Sequence, residues 1–142
     1  MTVENQIQEY ISNQKKPKQI DLQKLHQLIS EIMPDSRLWF FDGKNEEGKI
    51  VSNPNIGYGL HAIKYKDGTD KDFYQIGLSA NTSGISIYIM GIEDKKYLQE
   101  TFADKIGKAT VTGYCIKFKK LNEINIDVLE SVMQCSIKNK NR

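Results

Sequence analysis

Cysteine and histidine are scarce in this chain, long apolar runs are missing, and charge of neither sign prevails. Cys115 and Cys135 are too few and too far apart for a disulfide framework, so both are read as ordinary buried thiols of a reducing compartment. With only His26 and His61, and no ligand-spaced partner for either, a zinc site is not expected. No apolar run approaches the ~20 residues that span a bilayer, and the opening residues show no basic stretch leading into an apolar one. Those absences predict a cytoplasmic protein with no membrane partner. The 20 basic and 18 acidic residues leave a formal net charge of +2, too small a field to hold a polyanion, and no nucleic-acid partner is expected.

What is present is a globular balance. Hydrophobic residues at 39% and charged residues at 27%, on 142 positions, suffice for one core and not for two, so a single domain is expected over 1–142. The pattern predicts a helical hairpin over 3–33, a sheet with further helices over 37–137, and a frayed, solvated tail over 138–142. Val3, Ile7, Tyr10 and Ile11 recur at helical spacing behind Thr2, a ready N-cap. Leu22, Leu25, Leu28, Ile29 and Ile32 make the apolar stripe of a second helix, with Asp21 as its expected cap and Pro34 as its stop.

From Arg37 onward the period changes to two. Leu38 to Phe41 is a strand candidate, and Ile50 with Val51 is a short edge piece. Ile63 and Tyr65 alternate with Ala62 and Lys64 up to the turn Lys66-Asp67-Gly68-Thr69, and Tyr74, Ile76 and Leu78 then alternate with Phe73, Gln75 and Gly77 as the returning strand. After a turn at Asn81-Thr82-Ser83-Gly84, Ile85, Ile87 and Ile89 form a third strand, completing a meander. Asp94 is read as the cap of a third helix closed by Gly107, Tyr114 to Phe118 as a further strand, and Asn125 or Asp127 as the cap of a last helix. The sum is an α+β fold: an antiparallel sheet of about five strands with helices packed mainly on the isoleucine face.

The opposite parity, Gln75, Ser86, Tyr88, Met90 and Lys117, predicts an uncovered sheet face with aromatic bodies and polar tips. Tyr58, Lys64, Tyr88 and Lys117 are the candidate ligand-binding residues of that face, for a small molecule or a protein, in a monomer or a homodimer. Asp67, Asp70 and Asp72 in the first hairpin offer hard oxygen ligands for a cation, although their spacing is not that of a calcium loop. Catalysis through Cys115 and a histidine would need a base beside a thiol of lowered pKa, and no sequence feature points to a catalytic residue.

The blocks Gly57-Tyr58-Gly59 to Lys64-Tyr65, Asp72-Phe73-Tyr74, Gly77-Leu78-Ser79, Tyr88-Ile89-Met90, Cys115, Lys119-Lys120-Leu121 and Asp127-Val128-Leu129, in that order, resemble the YdhG-like family, bacterial domains of largely undefined function. The resemblance spans about 1–137 and implies the YdhG-like fold. Some members carry a frataxin-like iron-chaperone label, so iron is the one cofactor it suggests. Relatives often place Trp-Gly where Ser52-Asn53 stand here, and a histidine where Ala62 stands, with His61 one place away. A one-residue shift turns a strand side chain to the other face, so a ligand held by that pair would not be held the same way here.

Overall fold

A helix start needs an acceptor for its free amides, and Thr2 supplies one. In the computed structural model, which describes residues 2–140, the Asn5 amide donates to Thr2 Oγ1 at 3.1 Å. Helix α1 (Val3–Ser12) follows and buries Ile7 and Ile11. Helix α2 (Lys16–Ile32) begins earlier than its expected cap, because Pro17 in the first turn already has the helical φ and lacks only an amide that would have been orphaned. Asp21 therefore lies inside α2. Its Oδ2 instead accepts the Leu121 amide at 3.1 Å, holding a 3-10 turn (Leu121–Glu123) against the helix.

Six strands make the main sheet: β1 (Leu38–Phe41), β2 (Asn55–Tyr58), β5 (Ile76–Asn81), β6 (Gly84–Ile89), β7 (Thr110–Val111) and β8 (Cys115–Phe118). They pair antiparallel throughout in the order β1-β2-β5-β6-β8-β7. A separate two-stranded hairpin, β3 (His61–Lys64) with β4 (Asp70–Phe73), is inserted between β2 and β5. The expected single strand over 73–78 is thus two strands, broken where Tyr74 and Gln75 are buried in succession instead of alternating. The strand that pairs with β5 in the sheet is β2, not the one carrying Ile63. Ile50 and Val51 are exposed, and Ile50 makes one isolated bridge to Lys44.

Pairing across β5 and β6 sets Ile76 opposite Ile89, Leu78 opposite Ile87 and Ala80 opposite Ile85, and β8 adds Ile116 and Phe118 to the same face. All eight are buried in one cluster with residues of α1, α2, α3 (Tyr97–Phe102) and α4 (Ile126–Lys140), among them Leu25, Leu98, Leu129 and Met133. The helices therefore cover the isoleucine face of an α+β fold. Asn125 Oδ1 accepts the Val128 amide at 3.2 Å and caps α4. Asp94 makes a turn with the Lys96 amide just ahead of α3, and Gly107, at φ +105°, lies beyond the end of that helix, bridged to Ile124. The backbone of α4 continues to Lys140, into the expected tail, whose last two residues lie outside the described residues. Among the described residues no helix is long and apolar enough to cross a membrane.

Candidate functional site

The face turned away from the helices is organised by register. Trp39, Gly57, Gly77, Tyr88 and Cys115 stand in one row across five strands, because each is the pairing partner of the next. The neighbouring row carries Ser79, Ser86, Lys117 and Thr110 in the same way. One row is aromatic and the other polar.

The two glycines in the first row have a specific use. A Cβ on Gly77 would come within 2.5 Å of Tyr74 Cε1 and 2.6 Å of Cζ, and one on Gly57 would strike the other side of the same ring. The Tyr74 ring therefore lies flat over the sheet where two strands have no side chains, and Phe73 stacks beside it with centroids 4.1 Å apart. Phe41 and Trp39 extend this aromatic wall to the edge strand, where the Arg37 guanidinium caps the indole at 3.9 Å and Trp39 Nε1 donates to the Gly59 carbonyl at 2.8 Å. On the far side Tyr88 stacks against Tyr114, which is 57% exposed.

The floor between these aromatic groups is closed more than an open face would be. Gln75, Ser79 and Ser86 are each 1% exposed, and Tyr88 and Met90 are half-buried, so of the expected surface only Lys117 is exposed. Gln75 is drawn away from the face altogether: its Nε2 donates to the Ser136 carbonyl of α4 at 2.8 Å, while Ser136 Oγ donates to the Met90 carbonyl at 2.7 Å. Ser79 Oγ donates to the Pro54 carbonyl at 2.6 Å and Asn81 Nδ2 to Ser86 Oγ at 3.1 Å.

Of the four residues expected to bind a ligand, the structure brings together two. Tyr88 and Lys117 lie on adjacent strands of this face. Tyr58 has the other parity: it is wholly buried under the helices, pairs with Leu38 and Ile76, and its hydroxyl meets His26 Nδ1 at 2.6 Å. Lys64 is exposed on the inserted hairpin, outside the main sheet. The residues missed from sequence are Trp39, Phe41, Phe73 and Tyr114. Trp39 and Phe41 alternate with the core residues Leu38 and Phe40, which was the available signal.

Electrostatically the face carries cations at its two ends, Arg37 over Trp39 and Lys117 on β8. Burial raises the Tyr74 phenol well above its usual range, and burial, with Cys115 adding to it, also raises Tyr88. Burial likewise pushes the Cys115 thiol up, against the opposing pull of Lys117. These groups stay protonated at neutral pH, and a protonated, buried thiol is a poor nucleophile. His61 lies against Gly91 at the base of the hairpin. Asp67, Asp70 and Asp72 are all exposed, and Asp67 Oδ1 is taken up by the Thr69 hydroxyl at 2.6 Å and the Thr69 amide at 2.9 Å. Among the described residues, no three or more His, Cys, Asp or Glu side chains are grouped so as to hold a metal ion.

His26 yields a test of the buried pair. Burial lowers its pKa from the usual 6.5, which favours the neutral ring in its 2.6 Å hydrogen bond with the Tyr58 hydroxyl. In the unfolded chain the ring protonates first as pH falls, and the unfolded state then binds more protons. This group's stabilising effect is full above the unfolded pKa and is lost as pH falls through the folded one. A series of urea midpoints between about pH 5 and 8 should fall less steeply on the acid side for His26→Gln than for the parent. Parallel profiles would show that His26 does not contribute.

Against protein-family models, curated proteins and solved structures alike, the chain gives no match.

Proposed function

We propose that this chain is a non-catalytic binding domain whose ligand lies on the sheet face opposite the helices. The observation that carries the reading is the pair of rows, in which aromatic side chains stand beside a polar row that leads to the exposed Lys117 and Thr110. Rigid aromatic bodies give contact area at little entropic cost, and the exposed Lys117 ammonium and Thr110 hydroxyl beside them can fix orientation, which is the composition of a small-molecule site. The Cys115 thiol, buried and raised in pKa, favours binding over covalent chemistry. The iron-carrier alternative would use Asp67, Asp70 and Asp72 or the first helix, and Asp67 Oδ1 is already engaged by the Thr69 hydroxyl and amide.

A neutral flat probe tests this directly. Titrating isotopically labelled protein with benzamide should shift amides of β5, β6 and β8 in a saturable way, and Tyr88→Ala should weaken that binding about tenfold, in line with the loss of one stacking surface. Shifts confined instead to the groove between α2 and the 3-10 turn, lined by Leu25, Leu28, Leu121 and Ile124, would place recognition on the wrong side of the molecule and end the proposal.

A further inference from the structure

The polar row runs into a cleft of about 390 Å³ at one end of the sheet, between the β5–β6 turn, the end of β8 and the start of β7. Its lining includes Lys108, Lys117 and Lys119 with one acidic residue, Glu123, and among the uncharged groups are the side chains of Asn81, Ser83, Ser86 and Thr110. Three lysines and one glutamate give it a formal charge of +2, equal to that of the whole chain, so the charges outside it balance. Lys108 is held by Glu123 at 3.5 Å, the single ion pair among the described residues, which leaves Lys117 and Lys119 without a carboxylate partner.

The cleft is also braced. Lys18 Nζ donates to the Asn81 carbonyl at 2.6 Å, Asn81 Oδ1 accepts the Ser83 amide at 2.9 Å, and Asn81 Nδ2 reaches Ser86 at 3.1 Å. Register places Lys117 between Ser86 and Thr110, and Lys119, just past the end of β8, lines the same cleft. Uncompensated ammonium groups beside hydroxyl donors, with no arginine fork, suit a compact oxyanion of more than one charge better than a single carboxylate. The volume leaves room beside such an anion for the rest of a small molecule, and Tyr88 stands in the adjacent row, two residues along β6 from Ser86.

We propose that this cleft is the anion subsite of the binding face and takes the phosphate group of a phosphorylated small molecule, whose organic part extends over Tyr88. The inference rests on the binding-face reading given above. Its test uses labelled full-length protein at about pH 7.5, where a phosphomonoester is doubly charged, with ionic strength held constant while inorganic phosphate and phenyl phosphate are titrated separately. Both should shift the amides of 81–86, 108–110 and 117–119 saturably; phenyl phosphate should also shift Tyr88 and Tyr114 and bind about tenfold more tightly. Lys117→Gln should weaken both by about tenfold, and Lys117→Arg should restore much of the loss. Because Lys117 is exposed, an unchanged spectrum without ligand certifies that the variant folds.

No saturable shift with either compound, or shifts spread equally over lysines elsewhere such as Lys24 and Lys71, would overturn the cleft as a site. In that event benzamide binding still decides the face by itself. Equal affinity for the two compounds with Tyr88 unmoved would leave a site for free phosphate and refute the phosphorylated small molecule, while the face reading stands or falls with benzamide.

Discussion

Shortening Ile87 to alanine should destabilise the domain by about 4 kcal/mol, near the upper end for an isoleucine lost from a packed core. Ile87 is 0% exposed, on the strand between β5 and β8, with Leu78 and Ile116 as its direct cross-strand partners. Rigid β-sheet neighbours on both sides limit how far the cavity can collapse, so the packing term adds to the transfer term. Against a total stability of about 5–15 kcal/mol for a typical domain, such a loss is severe. Urea unfolding is the measurement, with the midpoint falling at unchanged slope. The comparison is Ile50→Ala: that side chain is 71% exposed, and its loss should stay within about 0.5 kcal/mol. A loss below about 1.5 kcal/mol for Ile87→Ala would mean that the isoleucine face is not tightly packed.

The second large effect belongs to the opposite face. Gly77→Val should cost about 3 kcal/mol by overpacking, since the new side chain must displace the Tyr74 ring that now crosses the sheet there. Backbone geometry is not the cause, because Gly77 has no positive φ; the clash is with a ring. Trp39, the one tryptophan of the chain, belongs to the same aromatic wall through Phe73. Its emission should therefore shift to the red as the wall opens, alongside the fall in urea midpoint. Wild-type stability together with unchanged emission would show that the flat seat of Tyr74 across Gly57 and Gly77 does not exist in solution. A stability loss without the spectral change would locate the damage in the sheet and leave the wall intact.

These two expectations differ in how far the chain alone foretold them. The isoleucines of β5 and β6 alternate without interruption, and burial on one side follows from period two alone; Ile85, Ile87 and Ile89 are buried as that pattern requires. Thr2, Pro34 and Asn125 mark helix boundaries by local chemistry, and those boundaries hold. Asp21 illustrates the opposite case. As a helix cap it satisfied every local rule, yet Pro17 starts the helix sooner and the carboxylate serves a turn 100 residues away. Tyr74 and Gln75 likewise continue an alternating pattern, and the break between them depends on two glycines and on Ser136 of α4, 61 residues from Gln75.

The candidate site divides along the same line. Tyr88 and Lys117 share a face because parity within a strand and pairing between neighbouring strands place them there. Tyr58 lies on the other side, because its register partners, Leu38 and Ile76, belong to the core. Parity is relative, and only a pairing partner says which side is up. Lys64 followed from treating the inserted hairpin as part of the sheet, whereas β3 and β4 pair only with each other.

Composition and periodicity thus determined the α+β class, the apolar side of the sheet and the helix starts that depend on side chains a few residues away. Tertiary structure decided the sheet order, the inserted hairpin, the aromatic wall and the lysine cleft. The reason is distance along the chain: Trp39 meets Phe73, Lys108 meets Glu123 and Lys18 meets Asn81 only after strands far apart in sequence have paired and helices have docked. Local spacing carries no record of contacts that close such long loops.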